Sequence, residues 1–151
     1  MEVLEGLRRL SSGWRGDRLT SVIAQLRSVL ETDPRIAYAL LFGSKSRGTA
    51  RDLSDTDLAI GLAAGAKLSA CELGDLLSRL EAAVGGPVDL VVLDEAPPGL
   101  AYRVFRDGRI VFERDHRAFV DRKARAILEY LDFRPIEQLF TRAVLEAARR
   151  G

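Results

Sequence analysis

Apolar residues recur along this chain with two different periods. Leu19, Val22, Ile23, Leu26, Val29 and Leu30 fall three and four apart, which places them on one face of a helix. Asp33-Pro34 stops that helix. Ile36 to Phe42 is then an unbroken apolar run of strand length, predicting a strand buried on both faces. Gly43 ends it sharply, and a short helical turn through Gly48 and a polar loop over Thr49 to Ser54 are expected next. Asp55 to Ile60 reads as a second strand, with Leu58 and Ile60 on one side and Asp55 and Asp57 on the other. After a loop from Gly61 to Lys67, Ser69 can cap a helix carrying Leu73, Leu76, Leu77, Leu80 and Val84, closed by Gly85-Gly86-Pro87.

Val88 to Leu93 is a third strand, and Pro97-Pro98 suits the first turn of a helix bearing Leu100, Ala101, Val104 and Phe105. Asp107-Gly108 turns into a fourth strand, Arg109 to Glu113. Asp115 can cap a long helix with Phe119, Val120, Ala124, Ile127, Leu128 and Leu131. Beyond Arg134-Pro135 a second amphipathic segment carries Ile136, Leu139, Phe140, Val144 and Leu145. The order predicts an α/β or α+β domain, a small mixed sheet with helices mainly on one face and further helices at the C-terminus. Three parts follow: a helical extension over 1–16 (Val3, Leu4, Leu7, Leu10, then Ser11-Ser12-Gly13), a domain over 17–133, and a helical tail over 134–151.

Composition narrows the class. At 151 residues, 47% hydrophobic and 30% charged, the chain can fill a core and cover a surface, which argues against disorder. No apolar run approaches the roughly 20 residues that span a bilayer. Met1-Glu2-Val3-Leu4-Glu5 lacks the basic-then-apolar order of a signal peptide, so no membrane or export role is expected. One cysteine, Cys71, cannot pair within the chain, and a reducing cytoplasm is the expected setting. Net charge is +1, which is no strong nucleic-acid signal. Basic residues do gather locally, at Arg47, Arg51, Arg103, Arg106 and Arg109.

The chemistry lies in Gly43-Ser44-Lys45-Ser46-Arg47-Gly48 and in Asp55-Thr56-Asp57. Asp55 and Asp57 stand two apart on a strand, so both side chains point to one face. At about 4 Å and an effective dielectric near 20, two carboxylates repel by about 4 kcal/mol. A hard cation relieves that conflict, and Mg²⁺ prefers such oxygen ligands. Asp89, in the otherwise apolar run Val88 to Leu93, joins them if the second and third strands are neighbours. Three carboxylates could then hold two Mg²⁺ ions, one activating the attacking oxygen and one holding a triphosphate. Gly43 lets backbone approach a phosphate, and a helical turn starting there would aim N–H groups at it. Ser44 can donate to a phosphate oxygen, and Lys45 and Arg47 can offset charge on leaving pyrophosphate.

Gly43-Ser44, ten residues, then Asp55-Thr56-Asp57 resembles the signature of the polymerase-β-like nucleotidyltransferase superfamily. The small size and the run Val88-Asp89-Leu90-Val91-Val92-Leu93 resemble its minimal nucleotidyltransferase branch. Length, Ala101-Tyr102-Arg103-Val104-Phe105-Arg106-Asp107-Gly108 and the ending Tyr130-Leu131-Asp132-Phe133 are similar to the MntA-type adenylyltransferase antitoxins. That resemblance, over roughly residues 20–133, implies a nucleotidyltransferase fold and transfer of AMP from ATP to a tyrosine of a HEPN-domain ribonuclease toxin. It implies Asp55 and Asp57 as metal ligands, Asp89 completing the site, and Gly43 and Ser44 holding the triphosphate.

Two other readings stay open: an enzyme whose acceptor is a small molecule such as an aminoglycoside or a nucleic-acid end, and a module that neutralises its partner by steric capture, with nucleotide as a structural ligand. His116 reads as an exposed or capping residue and Cys71 as partly buried. Tyr102 reads as packing, with a place near the nucleotide as the alternative. Leu128, Leu131, Phe133, Ile136 and Phe140 read as core, with an interface in a homo- or hetero-oligomer as the alternative.

Overall fold

The computed structural model describes residues 17–43 and 55–151. Four strands form one mixed sheet: β1 Ile36–Phe42, β2 Thr56–Leu62, β3 Val88–Val92 and β4 Arg109–Glu113. Their spatial order is β3-β2-β1-β4. β1 runs antiparallel to both β2 and β4, and β2 runs parallel to β3. Four helices complete the described fold: α1 over 17–30, α2 Ala70–Val84, α3 Pro98–Asp107 and α4 His116–Arg150. The mixed-sheet α+β architecture is the one expected. The helix over 1–16, the turn through Gly48 and the loop over 49–54 lie outside the described residues.

Each face of β1 carries its own core, because the run Ile36–Phe42 is apolar on both sides. Ile36, Ala39 and Leu41 pack with Leu26 and Leu30 of α1 and Leu76 and Leu80 of α2. Ala37, Tyr38 and Leu40 pack with Ala101, Val104 and Phe105 of α3 and Phe119 and Ala126 of α4. The helices are therefore shared between the two faces rather than gathered mainly on one. An apolar face exposed on β1 would forfeit about 1.5–3 kcal/mol per large side chain.

Local chemistry sets the ends of these elements. Ser69 caps α2 in a reciprocal capping box: Glu72 N–H donates to its hydroxyl, and its own N–H donates to the Glu72 carboxylate at 2.7 Å. Gly85, at φ +72°, closes α2 in the left-handed region, and its N–H donates to the Glu81 carbonyl at 2.8 Å. Asp115 caps α4 by accepting from the Ala118 N–H. Arg114 latches the residue after β4 to the turn between α1 and β1. It donates from Nη1 to the Asp33 and Ile36 carbonyls and from Nη2 to the Glu31 carbonyl, at 2.8–3.0 Å.

α4 continues through Pro135 as one helix of 35 residues. A proline there removes the bond to the Leu131 carbonyl and crowds it. Residues 131–136 are exposed, so water can reach that carbonyl, and the flanking Arg, Ile, Glu, Gln and Leu favour helix. From residue 138 to 150 every side chain is exposed, Leu139, Phe140 and Val144 among them. No helix among the described residues is long and apolar enough to cross a membrane.

Candidate functional site

Three strand ends meet at one end of the sheet. In the ladders, Phe42 at the end of β1 stands opposite Asp57, and Asp57 stands beside Asp89 at the start of β3. The Thr56 N–H donates to the Pro87 carbonyl at 3.0 Å and pins the start of β2 to the turn before β3. The Val88 N–H donates to the Glu81 carboxylate at 3.2 Å, tying the same turn to α2. The register of Asp57 with Asp89 is therefore held from two sides.

Gly43 abuts this pair. Its φ is +73°, a conformation L side chains rarely adopt. A Cβ built on it would lie 3.1 Å from the Asp57 carboxyl carbon and closer still to Oδ2. The glycine is required twice over, by the backbone turn and by the carboxylate lying against it. Asp57 is half-buried, while Asp89 is exposed at the sheet end. Asp55 is exposed one residue before β2. Being two residues before Asp57, it belongs to the same strand face if the extended backbone is followed back. Arg109, the first residue of β4, is exposed at this end too, opposite Leu41.

The structure thus brings Gly43, Asp57 and Asp89 together. Ser44, Lys45 and Arg47 lie outside the described residues. Among the described residues no group of three His, Cys, Asp or Glu side chains is gathered to hold a metal ion. Two carboxylates in register still suit Mg²⁺. That ion is commonly bound by one or two carboxylates, completing its octahedron with water and substrate phosphates.

Other residues find structural roles. Tyr102 stacks on Tyr130, with ring centroids 4.1 Å apart and planes 5° apart, joining α3 to α4. His116 is exposed and contacts the Glu113 carboxylate. Cys71 is exposed in the first turn of α2, where it points away from the buried Leu76 and Leu80 row, rather than partly buried. The pattern of polar and apolar positions also misses Arg122, which is buried on α4 at 6% exposure. Its signal was its place, three residues after Phe119 and four before Ala126, on the helix face that packs inward.

The profile of the family described as "Polymerase beta, Nucleotidyltransferase" matches residues 24–117, well over half of the chain. The chain belongs to the polymerase beta nucleotidyltransferase family. The matched span begins in α1 and ends at the start of α4, so it contains all four strands and both motifs of this nucleotidyltransferase. Its fold is similar to that in a crystal structure of a toxin–antitoxin with AMP-PNP. There the TM-score is 0.72 and identity 24%, covering 82% of this chain and 98% of the other. It is also similar to a complex of a tri-AMPylated Shewanella oneidensis HEPN toxin with an MNT antitoxin. That likeness has TM-score 0.64 and 22% identity over 87% of this chain and 98% of the other. A minimal nucleotidyltransferase shares 31% identity over 60% of this chain and 93% of its own, at TM-score 0.51. No curated protein sequence matches the chain.

Proposed function

We propose that this nucleotidyltransferase is a protein adenylyltransferase antitoxin of the cytoplasm, moving AMP from ATP to a tyrosine of a HEPN ribonuclease toxin. The observation that carries the reading is Gly43 held at positive φ against Asp57, with Asp57 in register with Asp89. A family match over residues 24–117 supports the transfer chemistry. The acceptor is drawn from likeness to complexes in which an MNT antitoxin accompanies an AMPylated HEPN toxin.

In this reading Gly43 and Ser44 hold the triphosphate, with Lys45 and Arg47 beside the leaving pyrophosphate. Asp57 and Asp89, already in register, and Asp55, which must be drawn in to join them, would hold two Mg²⁺ ions, which would supply charge neutralisation at the phosphates. The chain's own part is alignment. Gly43 lets the Asp57 carboxylate lie directly against the backbone turn that would meet the triphosphate, and Asp89, in register with it, would accept the tyrosine proton. The apolar row Leu139, Phe140 and Val144 on the exposed end of α4 supports a protein acceptor over a small molecule such as an aminoglycoside. The same row also favours a second reading, steric capture of the partner without transfer.

Purified protein is incubated with Mg²⁺, each α-labelled nucleoside triphosphate and the co-expressed HEPN partner. Label passing from ATP to a partner tyrosine, and lost in Asp57→Asn, is the expected result. Neutralisation of the toxin by Asp57→Asn as well as by wild type sinks the catalytic reading and leaves steric capture.

A further inference from the structure

Asp89 is positioned from outside the site. β3 is an edge strand with β2 on one side only. Thr56 stands opposite Val88 in the parallel ladder, and its N–H donates to the Pro87 carbonyl at 3.0 Å. In that pattern the Val88 N–H points away from β2, toward the open edge. An edge amide is ordinarily left to water. This one donates to the Glu81 carboxylate of α2 at 3.2 Å.

Glu81 also holds the residues before it. Its carbonyl accepts from the Gly85 N–H at 2.8 Å and from the Gly86 N–H at 3.3 Å. Pro87 has no N–H to give. Every backbone N–H from residue 85 to residue 88 is therefore taken by this one residue. Gly85, at φ +72°, reverses the chain, and the Pro87 carbonyl hands the constraint on to Thr56 in β2. Glu81 is itself fixed, because the neighbouring Leu80 is fully buried in the core beneath α2. Among the described residues its carboxylate forms no ion pair, so its bond to Val88 is what the group contributes.

We infer that Glu81 is a positioning residue for the transfer reaction, holding the turn over 85–88 so that Asp89 meets Asp57. The inference rests on the reading that Asp89 serves the site. Its working part is an acceptor oxygen rather than a charge.

The test compares full-length wild type, Glu81→Ala, Glu81→Gln, Asp89→Asn and the double variant Glu81→Ala with Asp89→Asn, all well below their melting temperatures. Amide hydrogen exchange reads the turn without nucleotide or acceptor. Glu81→Ala should speed exchange at Val88 and Thr56 at least tenfold and leave Leu40 and Ala59 unchanged. Glu81→Gln should restore protection, because its amide oxygen still accepts. AMP transfer to the HEPN partner reads the consequence. Glu81→Ala should lower kcat about tenfold, as loss of an outer support commonly does, with KM for ATP within twofold. Glu81→Gln should stay within twofold of wild type, and Glu81→Ala should add no loss to Asp89→Asn. Unchanged exchange at Val88 and Thr56 in Glu81→Ala overturns the proposal. So does a full further loss of kcat on the Asp89→Asn background, or undiminished kcat in Glu81→Ala where Asp89→Asn is impaired. Transfer undiminished in Asp89→Asn, or absent in wild type, overturns the underlying reading instead, and the exchange data keep that outcome apart from a turn that Glu81 does not hold.

Discussion

Gly43→Ala tests whether the close approach of backbone to Asp57 serves the chemistry. At φ +73°, an alanine carries about 1–2 kcal/mol of left-handed strain. Loss of unfolded-state freedom returns roughly 0.4–1 kcal/mol of that. The steric part acts on a side-chain end: the new Cβ would stand 3.1 Å from the Asp57 carboxyl carbon but 3.5 Å from its Cβ. The carboxylate can therefore swing aside, and the stability cost stays near 1 kcal/mol, about 2–4 °C in Tm for a chain of this length. Catalysis should suffer far more, since a displacement near 1 Å at a reacting centre costs about 10²-fold in rate. The assay pairs thermal melting with AMP transfer well below Tm, for wild type, Gly43→Ala, Asp57→Ala and the double variant. The expected result is a modest melting change with rate falling about 10²-fold, and no further loss when Gly43→Ala is added to Asp57→Ala. Transfer by Gly43→Ala within a few-fold of wild type would refute the reasoning, because the glycine would then serve the turn alone.

Three further outcomes follow from the fold. Arg114→Ala removes three carbonyl contacts bridging α1, β1 and β4, and should lower stability by about 2 kcal/mol in urea unfolding; a change under about 0.5 kcal/mol would show the latch to be ornamental. Hydrogen bonds from the Arg35 guanidinium hold the Asp33 carboxyl below the usual carboxylate range. Its folded-state pKa is the lower one, so its contribution is complete above the unfolded value near 4 and is lost as pH falls through the folded value; Asp33→Asn should flatten the acid limb of stability against pH, and an unchanged limb would count against it. Ending the chain at Arg134 removes a stretch in which every residue from 138 to 150 is exposed, so urea stability should stay within about 0.5 kcal/mol, while binding of the proposed toxin partner should be lost; a large drop in stability would mean the segment packs on the domain.

Much of this architecture could be read from residues. Ile36–Phe42 and Arg109–Glu113 are strands at the expected bounds, because Pro34, Gly43 and Gly108 punctuate apolar runs too short for helices. Ser69 with Glu72, and Asp115, announced their helices as caps. The meeting of Asp57 with Asp89 hung on whether β2 and β3 are neighbours, which no local pattern decides and the parallel ladder answers. The sharing of helices between two faces was implicit in β1, whose apolar run left no side for water. Pro135 misled because a mid-helix proline costs about 3 kcal/mol without always ending the helix, and the helix-favouring residues on both sides carry α4 through it. Arg122 was hidden by its own polarity: counting it as surface broke the row from Phe119 to Ala126.

The place of β1 sets a clock on folding. Its two neighbours lie on opposite sides of it in the sheet, yet one is drawn from residues just after it and the other from roughly 70 residues later, taking about 4–14 s of synthesis at 5–20 residues per second. For that interval the most apolar strand of the protein has one open edge and an uncovered face, since α3, β4 and α4 are still unmade. A fragment released before Arg109 keeps that edge open for good, and an open apolar edge pairs with whatever strand it meets. Arg114, following directly on β4, closes the interval by joining the last strand to the turn that precedes the first.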